Sequence, residues 1–200
     1  MIKTVSLDQI PTQPWRNGGG STQELLTWPG ADNWLVRISV ARIERNGPFS
    51  AFPDIERWFA VIHGDGVLLR VGPTNIILLA GTEPHRFDGA IAPECELLRG
   101  ATQDLNLMVR RDSGVGDMRP VIAGEGLVSA SRLRAVYTAR PAILVIDEQP
   151  PIVLPANTLA WNDDAAGQRW QLSGAAASTR VRAWWLAFAE LSFPALPHAN

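Results

Sequence analysis

Residues 34–41 read WLVRISVA, and this stretch decides the fold class. Val36, Ile38 and Val40 alternate with Arg37 and Ser39, so apolar and polar side chains fall on opposite faces of a β-strand. Similar apolar runs occur at residues 58–63, 67–71, 76–80, 105–109, 143–147, 152–154 and 181–191. Many short strands at regular spacing predict an all-β sandwich or barrel.

Turn-forming residues divide the chain into short pieces. There are 17 glycines and 15 prolines along its whole length, which leaves little room for long helices. We expect few helices, with short candidates only at residues 6–10 and 129–134. The apolar runs 67–71 and 76–80 flank the turn sequence GPTN, which predicts a β-hairpin.

A weak internal repeat suggests two similar halves. Residues 67–85 read VLLRVGPTNIILLAGTEPH, and residues 143–161, which lie 76 positions later, read ILVIDEQPPIVLPANTLAW. Apolar positions align in both arms, although any two hairpins share some of this pattern, so chance similarity stays open. The repeat predicts two barrels, residues 1–112 and 113–200, joined by the polar segment 110–120.

Composition excludes several classes of protein. The chain has 200 residues, of which 46% are hydrophobic and 19% charged, unlike a disordered chain. A net charge of −2 without a basic block argues against nucleic-acid partners. No apolar run reaches the roughly 18 residues of a membrane span, and residues 1–11 lack the apolar core of a signal peptide. The lone Cys95 excludes an internal disulfide and favours a cytoplasmic protein.

A double-stranded barrel of this kind resembles the cupins, whose metal ligands lie at fixed spacing. When the first cupin motif is laid on residues 47–66, its ligand positions hold Pro53, Ile55 and Phe59. None of these side chains offers an imidazole, carboxylate or thiolate donor. The second motif contributes one histidine, His85. We therefore expect neither a metal nor another cofactor.

Three segments carry unusual polar sequence: WRNGGGSTQE at 15–24, GPFSAFPDIER at 47–57 and DLNLM at 104–108. Three successive glycines are costly to order, so they indicate either positive φ or a close backbone approach. An anion-binding nest and a plain tight turn are both compatible with them. In the third segment, Asp104 and Asn106 share one strand face.

These segments, together with RISVA at 37–41, resemble the HutD/Ves family in order and spacing over residues 15–108. The resemblance implies a bicupin fold, in which two double-stranded β-helix barrels pack together and exchange strands. It also implies a bacterial cytosolic protein. Some members resemble products of histidine-utilisation operons with a suggested regulatory or sensing role, and others are linked to stress responses. Arg16 replaces a common lysine, and Asp54 replaces a common glycine.

The polar face of residues 34–41 points either to solvent or into the first barrel. The resemblance favours the interior, where Arg37 would need Glu24, Asp104 or a bound carboxylate as its partner. The ligand would then be a small polar acid whose carboxylate Arg37 holds. The expected ligand-binding residues are Trp15, Arg16, Asn17, Gly18, Gly19, Thr22, Glu24, Arg37, Ser39, Phe49, Ser50, Arg57, Asp104 and Asn106.

The sequence thus favours a non-catalytic protein that binds a small carboxylate or amino-acid catabolite in a regulatory role. One alternative is a metal-independent isomerase or epimerase with His63 or His85 as general base. Another is a protein-interaction module that uses exposed tryptophans. The expected partner is a small molecule rather than nucleic acid or membrane, and a homodimer is compatible with the sequence. We expect no catalytic residue.

Overall fold

The computed structural model describes residues 1–122, 125–129, 131–164, 167–174 and 182–191. These residues form strands and one short 3-10 helix, Leu7–Gln9, so the all-β prediction is confirmed. The strands of the first part are β1 (Lys3–Ser6), β2 (Gln13–Pro14), β3 (Gly20–Trp28), β4 (Val36–Ile43), β5 (Gly47–Pro48), β6 (Ile55–His63), β7 (Val67–Val71), β8 (Thr74–Leu78), β9 (His85–Asp88), β10 (Glu94–Leu97) and β11 (Thr102–Arg110). Those of the second part are β12 (Gly114–Pro120), β13 (Gly126–Val128), β14 (Leu133–Thr138), β15 (Ala142–Ile146), β16 (Ile152–Leu154), β17 (Thr158–Asn162), β18 (Arg169–Gly174) and β19 (Ala183–Glu190).

The strands form four antiparallel sheets, which we number I to IV. Sheet I has the order β2-β3-β4-β11-β6-β9, and sheet II has the order β5-β10-β7-β8. Sheet III has the order β1-β17-β14-β19-β12, and sheet IV has the order β13-β18-β15-β16. Strand β1 pairs with β17 from Lys3 to Ser6. The start of the chain therefore completes a sheet whose other strands all follow residue 113.

Three apolar clusters fill the spaces between the sheets. Phe59 of sheet I meets Leu69 of sheet II in the first cluster, and Ile38 of sheet I meets Leu186 of sheet III in the second. The third cluster joins sheets III and IV around Trp170. Sheets I and III are therefore covered on both faces, which buries a large apolar area and is the main source of stability.

Several strand predictions are confirmed. The 67–80 hairpin forms from β7 and β8, and its turn closes at Gly72 and Pro73, because Val71 pairs with Thr74. The runs 143–147 and 152–154 form the paired strands β15 and β16. The predicted strand 181–191 corresponds to β19, although Val181 lies outside the described residues.

Two local predictions are wrong. The segment 110–120 is not merely a connection, because it contains β12, which pairs with β19 over its whole length. The helix predicted at 129–134 is absent from the described residues there, and Ala130 lies outside them. Leu133 instead begins β14, the middle strand of sheet III, and every residue of β14 is buried. Burial on both faces favours this extended conformation over helix propensity.

Candidate functional site

Sheet I carries a cavity of about 410 Å³ on the face that is turned toward sheet II. Strands β3, β4, β6 and β11 form its base, and the segments 13–17 and 48–52 form its walls. Eleven of the predicted ligand-binding residues line this cavity: Trp15, Arg16, Asn17, Thr22, Arg37, Ser39, Phe49, Ser50, Arg57, Asp104 and Asn106. Sequence reasoning missed Gln13, Pro14, Ala41, Pro48, Phe52, Phe59 and Met108, which also line it.

Strand register explains why distant polar residues meet. Asn106 of β11 lies opposite Ser39 on one side and Phe59 on the other. Two residues further along, Met108 lies opposite Arg37 and Arg57. Alternate residues share a face, so these side chains all point toward the cavity. The intervening apolar residues point the other way, into the cluster between sheets I and III.

The glycine loop is explained by backbone geometry. Gly18 has φ +67°, and the Gly19 amide donates to Asn17 Oδ1 at 2.9 Å. A Cβ on Gly20 would lie 2.2 Å from the carbonyl oxygen of Arg42. The Gly19 amide is therefore already engaged by Asn17, and neither Gly18 nor Gly19 lines the cavity. These contacts favour the tight turn over the anion nest.

Arg37 finds its partner within the protein. Its Nε donates to Glu24 Oε2 at 2.5 Å, and its Nη1 lies 3.5 Å from Met108 Sδ. Glu24 does not line the cavity, although it was predicted as a ligand-binding residue. Both charged side chains are partly buried, with 19% of Arg37 and 30% of Glu24 exposed. The polar face of β4 therefore points inward, and Glu24 is the partner among those expected.

Arg57 lies deeper and has no carboxylate hydrogen-bonded to it. Its Nη2 donates to Asn106 Oδ1 at 3.1 Å, its Nη1 donates to the Ser50 carbonyl at 3.4 Å, and its Nε has no hydrogen-bond partner. Burial lowers the pKa of Arg57 to about 10, Asp104 opposes this shift, and Arg37 adds to it. The guanidinium also lies 5.1–5.7 Å from three aromatic ring centroids, those of Phe49, Phe52 and Phe87.

Asp104 is the acid that lines the cavity, and 1% of its surface is exposed. Its Oδ1 accepts a hydrogen bond from Asn106 Nδ2, whereas its Oδ2 has no hydrogen-bond partner. Burial raises the pKa of Asp104 to about 8, although Arg57 and Asn106 favour the ionised form. Burial therefore favours the neutral form of the Asp104 carboxyl.

Aromatic side chains form the apolar wall. The rings of Trp15 and Phe49 meet edge to face at 6.4 Å, and those of Phe49 and Phe59 lie 5.7 Å apart. Trp15 Nε1 donates to Thr22 Oγ1 at 2.8 Å, which fixes the indole at the side of the cavity. The site thus combines a polar base with an apolar wall, as small-molecule sites commonly do.

The residues at the cupin ligand positions do not fit a metal. Phe59 lies within an aromatic cluster, and neither Pro53 nor Ile55 has a donor side chain. In the described ranges, no three His, Cys, Asp or Glu side chains group closely enough to hold an ion. His63 is exposed, and His85 stacks on Phe87 with centroids 5.9 Å apart. Neither His63 nor His85 lines the cavity, so neither is placed to act as a general base there.

The tryptophans do not form an exposed surface. All eight lie within the described residues, and each is buried or half-buried. Trp170 and Trp184 are among the most deeply buried side chains. The structure therefore offers no fully exposed tryptophan for the interaction-module alternative, which stays a prediction.

Comparison with known proteins decides the family. The family model HutD matches residues 7–179. The chain belongs to the HutD family. An uncharacterised 21.2 kDa protein from the hutC 3′ region of Pseudomonas putida is 38% identical over 109 residues, covering 54% of this chain and 57% of that protein. Protein Ves of Citrobacter koseri is 36% identical over 106 residues, covering 52% and 56%. The aligned region thus spans little more than half of these curated relatives.

Solved structures extend the likeness to almost the whole chain. HutD from Pseudomonas fluorescens has a TM-score of 0.83 at 24% identity, and the match covers 96% of this chain and 100% of that chain. A variant of Bacillus subtilis oxalate decarboxylase has a TM-score of 0.64 at 8% identity, covering 95% and 78%. At such identities the likeness establishes the fold alone, which is all-β and cupin-like. In the part of the chain described, no helix could cross a membrane.

Proposed function

We propose that this HutD-family protein binds a small carboxylate without transforming it, in a regulatory or metabolite-sensing role in the bacterial cytoplasm. The observation that carries the proposal is Arg57, a buried cation at the base of the cavity whose acceptors among the described residues are an amide oxygen and a backbone carbonyl. A buried charge of this kind is costly unless it is paired. A ligand carboxylate beside the guanidinium would supply the missing charge.

The structure shifts the proposed contact from Arg37 to Arg57. Glu24 already neutralises Arg37 at 2.5 Å, so a second carboxylate there would compete with a protein group. Burial disfavours the ionised form of Asp104, so this acid compensates Arg57 less well than Glu24 compensates Arg37. The carboxylate therefore belongs at the buried end of the cavity, and the aromatic residues Trp15 and Phe49 would contact the remainder of the ligand.

The proposed architecture around this site is a bicupin. Sheets I and II would form one barrel, residues 1–112, and sheets III and IV would form the other, residues 113–200, with β1 exchanged into the second. The pairing of β1 with β17 and the apolar clusters within each pair of sheets support this division. If the halves depend on each other, fragments cut near residue 112 should not fold separately.

The first test is a thermal-shift screen with matched acids and amides. Benzoate and benzamide share size and shape but differ in charge, and acids of histidine degradation extend the series. We expect the acids to raise the melting temperature while the amides do not, because only an anion compensates Arg57. If acids and amides shift it equally, or no acid binds, carboxylate binding is refuted.

A matched pair of arginine variants localises the binding. Arg57→Met keeps a similar volume but removes the charge, and Arg42→Met removes an arginine that pairs with Glu44 on the surface. Arg57→Met should weaken benzoate binding by about 2–5 kcal/mol, the range for breaking a buried charge pair. Arg42→Met should leave the affinity unchanged. Equal losses in both variants would show that only the net charge matters.

A further inference from the structure

The orphaned oxygen of Asp104 suggests a second ligand contact. Oδ2 of this side chain is buried and has no hydrogen-bond partner, although the residue lines the cavity. Among the described residues, the one hydrogen bond to the carboxyl group comes from Asn106 Nδ2 and reaches Oδ1. Arg57 does not hydrogen-bond to Asp104: its Nη2 and Nη1 donate to Asn106 Oδ1 and the Ser50 carbonyl, and its Nε has no partner among the described residues. Buried polar atoms generally have partners, so this one calls for an explanation.

The surroundings of the Asp104 carboxyl group favour its neutral, protonated form. An ionised carboxylate has about four acceptor positions, and a single donor leaves it poorly compensated in a site with almost no solvent exposure. A neutral carboxylic acid has one proton to donate, and it needs one acceptor in the cavity. A ligand carboxylate is such an acceptor, and neutral acids kept in apolar sites can serve as hydrogen-bond donors in this way.

On the basis of the proposed carboxylate binding, we infer that Asp104 is a specificity-determining residue. Its protonated carboxyl group donates a hydrogen bond from Oδ2 to the ligand carboxylate beside Arg57. The ligand carboxylate would then lie between a cation and a neutral acid. This pairing selects an anion at the buried end of the site. A neutral amide would bring no charge to Arg57, although its carbonyl could still accept from Asp104.

The charges around Asp104 agree with this assignment. Arg57 on β6 is the nearest cation, and the Arg37–Glu24 pair from β4 and β3 cancels internally. Cys95 faces Asp104 from β10, and burial raises the pKa of its thiol to about 12, so it stays neutral. Among the described residues near Asp104, Arg57 thus contributes the net charge. One bound carboxylate would balance it while Asp104 stays protonated.

The arrangement makes binding depend on pH. Burial raises the pKa of Asp104 to about 8, and an anion bound nearby would raise it further. Above this pH, binding must therefore take up a proton from solvent onto Oδ2. By linkage, the affinity should fall by up to about tenfold per pH unit in that range. Arg57, with a pKa of about 10, remains charged throughout it.

Calorimetry with benzoate tests this coupling in the full-length protein. Titrations at about pH 6 and about pH 9, each in two buffers of different ionisation enthalpy, measure the protons taken up on binding. We expect almost no uptake at the lower pH and a clear fraction of one proton at the higher pH. Asp104→Asn keeps the shape of the side chain and a neutral hydrogen-bond donor. The affinity of this variant for benzoate should therefore vary less than about twofold between the two pH values, and the proton uptake should vanish. Asp65→Asn, at an exposed turn, serves as the control and should behave like the wild type.

Carbon-13 NMR of the Asp104 carboxyl in the free protein adds a test that needs no ligand. Binding of benzoate without proton uptake, or uptake that persists in Asp104→Asn, overturns the assignment but leaves carboxylate binding intact. An Asp104 that is already ionised at about pH 6 overturns it in the same way. If no acid of the screen binds while Asp104 titrates in the alkaline range, the proposed function itself fails, and the ligand contact fails with it.

Discussion

Replacing Asp104 with Asn should make the protein more stable at neutral and alkaline pH. Asparagine has the same shape and cannot ionise, so it avoids the cost of burying a charge. The pKa of Asp104 is raised from 3.8 to about 8 in the folded protein. As the pH rises from about 4, the unfolded chain loses this proton first. The free energy of unfolding of the wild type therefore falls until the pH passes the folded-state pKa near 8, and then levels off.

The size of the effect follows from the pKa shift. Each pKa unit corresponds to about 1.36 kcal/mol, so the full shift sets an upper limit of about 6 kcal/mol. Relaxation around a buried acid commonly reduces such penalties. We expect the stability advantage of Asp104→Asn over the wild type to grow by about 2–4 kcal/mol from pH 5 to pH 8. A gain of this size is a large part of the stability of an ordinary domain.

Urea denaturation at a series of pH values measures this difference. The midpoint should rise in Asp104→Asn at alkaline pH while the dependence on denaturant stays unchanged. Asp65→Asn is again the matched control, since this side chain is exposed, and its curve should parallel the wild type. If Asp104→Asn parallels the wild type as well, or loses more than about 1 kcal/mol at pH 8, Asp104 is ionised in the folded state and the reasoning is wrong.

Three further predictions concern other positions. Gly20→Ala should lower the free energy of unfolding, measured by urea denaturation, by more than about 2 kcal/mol, because the added Cβ would lie 2.2 Å from the Arg42 carbonyl oxygen. Gly30→Ala is the control: its Cβ would meet no atom within 4 Å, so the free energy of unfolding should hardly change. Asp54→Gly should raise the free energy of unfolding by up to about 1 kcal/mol, because Asp54 has φ 63°, and an unchanged midpoint would contradict this explanation. Cys95, only 2% exposed, should resist a thiol reagent until the protein unfolds, and rapid labelling of the native protein would show that the site opens.

The sequence predicts the strands of this fold better than its contacts. Alternation in residues 34–41 identifies a strand with one apolar face, and that face packs between sheets I and III. The same alternation does not reveal the strand that begins at Leu133, because every residue of that strand is buried and apolar and polar residues do not alternate along it. Asp54 has φ 63°, a conformation that favours glycine, which agrees with the glycine that the family resemblance implies at this position.

The membership of the site could also be predicted, but its pairings could not. Eleven of the fourteen predicted ligand-binding residues line the cavity. Whether Arg37 or Arg57 faces a protein carboxylate depends on the register of strands far apart in sequence. Register shifts between Glu24 and Leu26, and between Gln103 and Asp104, alter that register locally. Irregularities of this kind re-aim side chains and leave little trace in a single sequence.

A second buried arginine of the chain has a counter-charge within the protein. Sheet III also buries an arginine, Arg134, whose Nη2 donates to Asn162 Oδ1 at 3.2 Å and to the Asp164 carbonyl at 2.7 Å. Its guanidinium lies 5.6 Å from the ring centroid of Trp170, much as Arg57 lies among aromatic rings. The carboxylate of Asp164 also contacts Arg134, at 3.3 Å. The protein thus supplies the counter-charge in sheet III, whereas in sheet I the acid nearest to Arg57 is too deeply buried to ionise readily, and a ligand can take that role.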